Sequence, residues 1–273
     1  MHYHGKTVDT FEPAIFQLME WERITGMGSP DCISLRAFGF CADGGKDRWF
    51  RPFISTAEAV QSLRKVTDVP LKILYLRPEE LQSEELPEAF VLGALNKGIA
   101  PLGVREYYYS GEGRYLFVRR KKGRYEVFDP CGFPGLWMKK EEFSALFGDD
   151  NVGCIYIEKN GKKAAIQLDS AMLLERGLKY HESIRVLEEQ SILAACLGYK
   201  DTVGGRIAFR WGVVGMIQMF DKVFALAEKC GYNSQIEYVS MKQHFYRLAE
   251  SGKSKELPGM LTCLWRSFEA YGR

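Results

Sequence analysis

Residues 113–143 read GRYLFVRRKKGRYEVFDPCGFPGLWMKKEEF, and the organisation of the chain turns on them. Two runs, RYLFVRR (114–120) and RYEVFDP (124–130), are rich in aromatic and β-branched residues and flank a Lys-Lys-Gly step. That pattern predicts two strands joined by a tight turn. The cations around Gly123, namely Arg119, Arg120, Lys121, Lys122 and Arg124, then read as the solvated end of a hairpin rather than a phosphate-binding patch. KKEEFSALF (139–147) follows as a short predicted helix.

Working outward, IAPLGVREYYY (99–109), GCIYIEK (153–159) and KAAIQL (163–168) are further β-rich runs, so residues 99–167 are expected to form an antiparallel meander. Asn160-Gly161 between the last two runs is the strongest short-range hairpin signal in the chain. On the N-terminal side, Phe11, Ala14, Ile15, Leu18 and Met19 recur at helical spacing. Asp9 and Glu12 mark the start and Gly26 the stop of a helix over residues 11–24, which its broad apolar stripe predicts to be largely buried. ISLRAFGF (33–40) and RWFRPFI (48–54) read as short strands, Ser55 and Glu58 as a capping box for a second helix with Val60, Leu63 and Val66 inward, and VPLKILYL (69–76) as a strand. EAFVLGALNKG (88–98) reads as a short amphipathic helix closed by Gly98.

From Asp169 onward the periodicity is helical, with segments over 170–198, 206–231, 235–252 and 258–272. Ile217, Phe220, Val223, Phe224, Leu226 and Ala227 form a stripe suited to helix packing. Gly204-Gly205 precedes a helix without a preceding strand, so it is read as a loop and not as a dinucleotide fingerprint. The expected fold is α+β, in two domains. Residues 1–167 would carry a small antiparallel sheet with flanking helices and 168–273 an all-helical domain packed on it.

The 37 Lys and Arg against 35 Asp and Glu leave a net charge of +2, which disfavours nucleic acid as a partner. Seven scattered cysteines without a C-x-x-C pair read as reduced thiols, not as a disulfide or zinc framework. No signal peptide or membrane span is legible, so a cytoplasmic, membrane-free protein is expected. No cofactor or metal motif stands out: His2 and His4 have ligand spacing but no partners, and Asp149-Asp150 reads as a helix-end turn. Homo-oligomerisation is left open.

Residues 97–147 resemble the papain-like fold of bacteriocin-processing peptidases and, more specifically, the butirosin-biosynthesis protein H N-terminal family of specialised-metabolite clusters. The residues that carry the resemblance are the turn at Lys97-Gly98, the strand opening at Arg114, the strand ending in Asp129-Pro130, and the LWMKKEEF segment. Relatives with a complete triad are implied to move acyl or aminoacyl groups, often from carrier proteins, onto amines. Such a site needs a Cys at a helix N-terminus, a His base and an Asp that orients it. Here the resemblance aligns Pro13 and Ala14 with the nucleophile, Arg114 with the base and Asp129 with the Asp.

A guanidinium stays protonated and cannot act as a general base, and Pro or Ala offers no nucleophile. Two uses of the cleft follow. Asp129 and Arg114, with Cys131 as a relocated thiol, would be the catalytic set, while Glu12, Arg105, Tyr107, Tyr109 and Cys32 would line a pocket for a small-molecule or carrier-bound acyl intermediate. Alternatively the protein binds such an intermediate, a carrier protein or a partner enzyme without catalysis. Tyr107 and Tyr109 share one strand face, away from Tyr108, and the plain reading of these residues as half-buried strand positions with an Arg114–Asp129 ion pair stands beside both.

Overall fold

The computed structural model describes residues 11–26, 56–82, 86–94, 115–129, 135–144, 152–158, 166–197, 202–231 and 235–269. Contacts divide these into two units: residues up to Thr25 with those from Asp68 to Gln167, and residues from Gly26 to Thr67 with those from Leu168 onward. Helix and strand are mixed, and the fold is α+β.

The first unit opens with α1 (Phe11–Trp21), whose residues from Phe11 to Met19 are all buried. Glu12 in its first turn complements the positive end of the helix dipole. The helix ends three residues before the expected Ile24. Arg23 takes a left-handed conformation (φ 62), and Ile24–Thr25 (β1) pair in parallel with Ile166–Gln167 (β8).

A six-stranded sheet has the order β2-β7-β3-β4-β5-β6, built from Leu71–Leu76 (β2), Ala89–Ala94 (β3), Tyr115–Lys121 (β4), Arg124–Phe128 (β5), Leu136–Lys139 (β6) and Val152–Ile157 (β7). Every neighbouring pair is antiparallel. The β4–β5 connection is the predicted tight turn, with positive φ at Lys122 (49) and Gly123 (72), the combination whose twist matches two paired strands.

Three sequence expectations fail within this sheet, each for a tertiary reason. Ala89–Ala94 is a strand and not a helix. It pairs with β4 on one side and β7 on the other, and Phe90, Val91 and Leu92 are buried. A strand covered on both faces loses the period-two alternation that would distinguish it from a helix. Lys139, expected to open the helix over 139–147, instead ends the extended strand β6 (Leu136–Lys139), and α3 (Lys140–Ser144) begins only after it. The expected hairpin between the runs at 153–159 and 163–168 does not form: β7 is inserted between β2 and β3, while β8 pairs with β1 in a separate two-stranded ladder. Asn160-Gly161 lies outside the described residues, as do the runs at 33–40, 48–54 and 99–109, Asp9, Ser55 and Asp149-Asp150.

Both faces of the sheet are packed. On one, Phe90, Leu92, Leu116, Val118, Tyr125, Val127, Met138, Val152 and Cys154 form a core closed by Leu81, Leu86 and Phe143. Tyr125 stacks on Phe143 with centroids 4.1 Å apart, and its hydroxyl donates to the Leu81 carbonyl at 3.0 Å, so the ring's polar end is satisfied where it is buried. On the other face lies α1. Phe11 meets Tyr115 edge-on at 5.1 Å, and Arg119, ion-paired with Glu126, sits 4.8 Å from the Trp21 ring centroid and 5.0 Å from that of Phe128.

The second unit is helical: α2 (Thr56–Thr67), α4 (Ser170–Leu197), α5 (Val203–Lys229), α6 (Gln235–Ser251) and α7 (Leu257–Glu269). Residues 26–67 were grouped with the first domain on sequence, but α2 packs on α4, with Arg176 Nη1 donating to the Val66 carbonyl at 3.2 Å. Asp169 caps α4 by accepting from the Ala171 and Met172 amides. The Ile217, Phe220, Val223, Phe224, Leu226 and Ala227 stripe is buried, and Phe220 stacks with Phe245 of α6. Gly204 and Gly205 lie in the first turn of α5, not in a loop. At Gly26 (φ +97) a Cβ would stand 2.0 Å from the Leu168 carbonyl oxygen, so only glycine fits. Among the described residues no helix is long and apolar enough to cross a membrane.

Phe143 is wholly buried and stacked. Phe143→Ala is expected to lower the free energy of unfolding by about 3–5 kcal/mol in urea titrations. A loss under about 1 kcal/mol would mean that α3 does not close this core.

Candidate functional site

The residues of interest gather where β4 begins and β5 ends. Phe117 pairs with Phe128, so continuing the antiparallel register brings Asp129 beside Leu116, one residue from Tyr115 at the start of β4. Tyr115 in turn receives the Phe11 ring from the first turn of α1. The α1 N-terminus, the start of β4 and the end of β5 therefore share one end of the sheet. The approach is close because of Gly93, opposite Tyr115, where a Cβ would stand 2.5 Å from the tyrosine ring.

Two acidic side chains are buried here, Asp129 (2% exposed) and Glu12 (8%). Neither is isolated, since both interact with neighbouring groups. A carboxylate taken out of water is costly unless its oxygens are satisfied, so these are built-in elements of this end of the sheet, not surface charges. Pro13 and Ala14, which the resemblance aligns with the nucleophile, are also buried, Ala14 completely. Proline has no side-chain or backbone proton to exchange and alanine presents only a methyl group, so these two positions supply neither nucleophile nor acid–base group. Of the other residues singled out on sequence, Arg105, Tyr107, Tyr109, Arg114, Cys131 and Cys32 lie outside the described residues.

Cys154, Cys196, Cys230 and Cys263 are free thiols. Burial in the core pushes the Cys154 thiol up to about 12 and Cys196 up to about 11. Cys230 is raised first by burial and then by the Asp169 carboxylate. An activated thiol requires the opposite shift, toward the thiolate, so these three are held in the unreactive form. His244 is exposed on α6, and among the described residues no group of three His, Cys, Asp or Glu side chains is arranged to hold a metal ion.

Sequence alone places Arg119 among the hairpin cations and gives no role to Glu126 or Trp137, its neighbours across the sheet. The signal was present in the alternation of RYLFVRRK and RYEVF, which sends Arg119 and Glu126 to one face, but pairing them requires the register.

Because folding raises the Cys154 pKa, the native state keeps this proton where the unfolded chain has released it. The associated stability is complete below the ordinary thiol value of 9.0 and is lost as pH rises toward about 12. In peptide-mapped alkylation at neutral pH, the exposed Cys263 should react promptly and Cys154 only after denaturant is added. Equal rates for the two in native buffer would contradict the burial.

No family model matches the chain, and searches of curated proteins and of solved structures return no significant match.

Proposed function

We propose that this chain is a papain-like protein of specialised-metabolite biosynthesis that binds an acyl or aminoacyl intermediate, free or attached to a carrier protein, without forming a thioester. The observation that carries this reading is the sealed first turn of α1, where Pro13 and Ala14 stand in place of a nucleophile and are shut from solvent. A covalent mechanism needs a lone pair that can reach the acyl carbon, and neither Pro13 nor Ala14 provides one. The raised pKa values of Cys154 and Cys196 argue in the same direction, because neither thiol is primed to substitute. Asp129 is retained as a buried carboxylate, suited to organising this end of the sheet.

That same carboxylate favours a second reading, non-covalent catalysis in which Asp129 and Arg114 position and polarise the acyl group. Incubation with an acyl-loaded carrier protein separates the possibilities. On the binding reading, calorimetry detects association, intact-mass spectrometry finds no added acyl mass on this chain, and the acyl load is unchanged. Transfer of the acyl group from the carrier thiol to an added amine, with no adduct on this chain and abolished in Arg114→Ala, would replace binding by non-covalent catalysis. An acyl adduct that disappears in Cys131→Ala would overturn both and establish a relocated nucleophile.

A further inference from the structure

Three cations stand abreast on one face of the sheet. The ladders pair Lys121 with Arg124 and Arg124 with Lys139, so their side chains project from three adjacent strands at a single level. Lys122, in the turn, adds a fourth charge beside them. The neighbouring row on the same face is Arg119, Glu126 and Trp137, and its carboxylate is already taken by Arg119. Lys121, Lys122, Arg124 and Lys139 are all exposed, and among the described residues none of them forms an ion pair.

Like charges placed directly opposite one another destabilise a sheet, and among the described residues no carboxylate offsets them here. Trp137 stands next to the row, 43% exposed on the edge strand, with the Arg124 guanidinium 5.9 Å from its ring centroid. Together Lys121, Lys122, Arg124 and Trp137 border a shallow hollow of about 260 Å³. Such a hollow is too small and open to enclose an organic ligand, whose pockets run to roughly 300–1,000 Å³. An aromatic ring set among cations is instead the composition of a protein-interface hot spot.

We propose that this row is a docking surface for an acidic segment of a partner protein, whose carboxylates pair with Lys121, Arg124 and Lys139 while an apolar side chain covers Trp137. Nucleic acid fits less well, because the chain as a whole is near charge balance, with a sequence pI of about 8.1 against the values above about 9 that mark nucleic-acid-binding domains. The surface is separate from the candidate site: Arg124 and Asp129 stand at opposite ends of β5, about 17 Å apart at 3.3–3.4 Å per residue. The proposal does not depend on the function suggested above.

The test uses the full chain and a fluorescein-labelled peptide of alternating Glu and Leu, read by fluorescence anisotropy at low ionic strength. The peptide should bind, lose affinity as salt is raised to physiological strength, and bind about tenfold or more weakly to the triple variant Lys121→Gln, Arg124→Gln, Lys139→Gln and to Trp137→Ala. The melting temperature of the triple variant should stay the same or rise, because the like-charge row has been relieved. Equal binding of a Gln-for-Glu peptide, undiminished binding by either variant, or a lowered melting temperature of the triple variant would overturn the proposal. So would tighter binding of a single-stranded oligonucleotide of the same charge, which would reassign the surface to nucleic acid.

Discussion

The first unit depends on β3 being paired along both edges and covered on both faces. Its backbone groups are used by β4 and β7, its Phe90 and Leu92 enter the core closed by Phe143, and α1 packs over the opposite face. Each fully buried large apolar side chain contributes on the order of 1.5–3 kcal/mol, so this short strand gathers contributions from both layers at once. Strand β7 makes the arrangement possible. It arrives last in the chain order of the sheet yet lies between β2 and β3, so the sheet closes through contacts distant in sequence.

The same packing limits the chemistry available at the start of β4. Pro13 and Ala14, in the first turn of a helix whose first nine residues are all buried, present no reactive group there. The described cysteines divide accordingly. Cys154 lies inside the core, where the uncharged thiol is favoured, whereas Cys263 is exposed.

Charge is distributed unevenly over the sheet despite the chain's near balance. Arg119 is neutralised by Glu126 and flanked by Trp21 and Phe128, a partly buried arrangement in which ion pair and ring contacts reinforce each other. One row away, Lys121, Arg124 and Lys139 have no carboxylate partner among the described residues, and only Arg124 has a ring contact, with Trp137. Both rows are products of one register, and a slip of one residue in β5 would exchange its inward and outward side chains.

Features that depend on near neighbours were legible in the sequence. The hairpin around Lys122-Gly123 follows from local turn chemistry, and the burial of α1 follows from the breadth of its apolar stripe. For the candidate site, the sequence showed which groups were absent: neither Pro13 nor Ala14 can be a nucleophile wherever they lie. Tertiary structure alone decided that residues 89–94 form a strand, because a segment apolar on every side carries no period and only pairing with β4 and β7 selects the extended form. It also decided that β7 joins β2 and β3 rather than β8, that Asp129 is buried beside the start of β4, and that Lys121, Arg124 and Lys139 stand in one row. Each of these depends on which strand lies next to which, and no local signal encodes that choice.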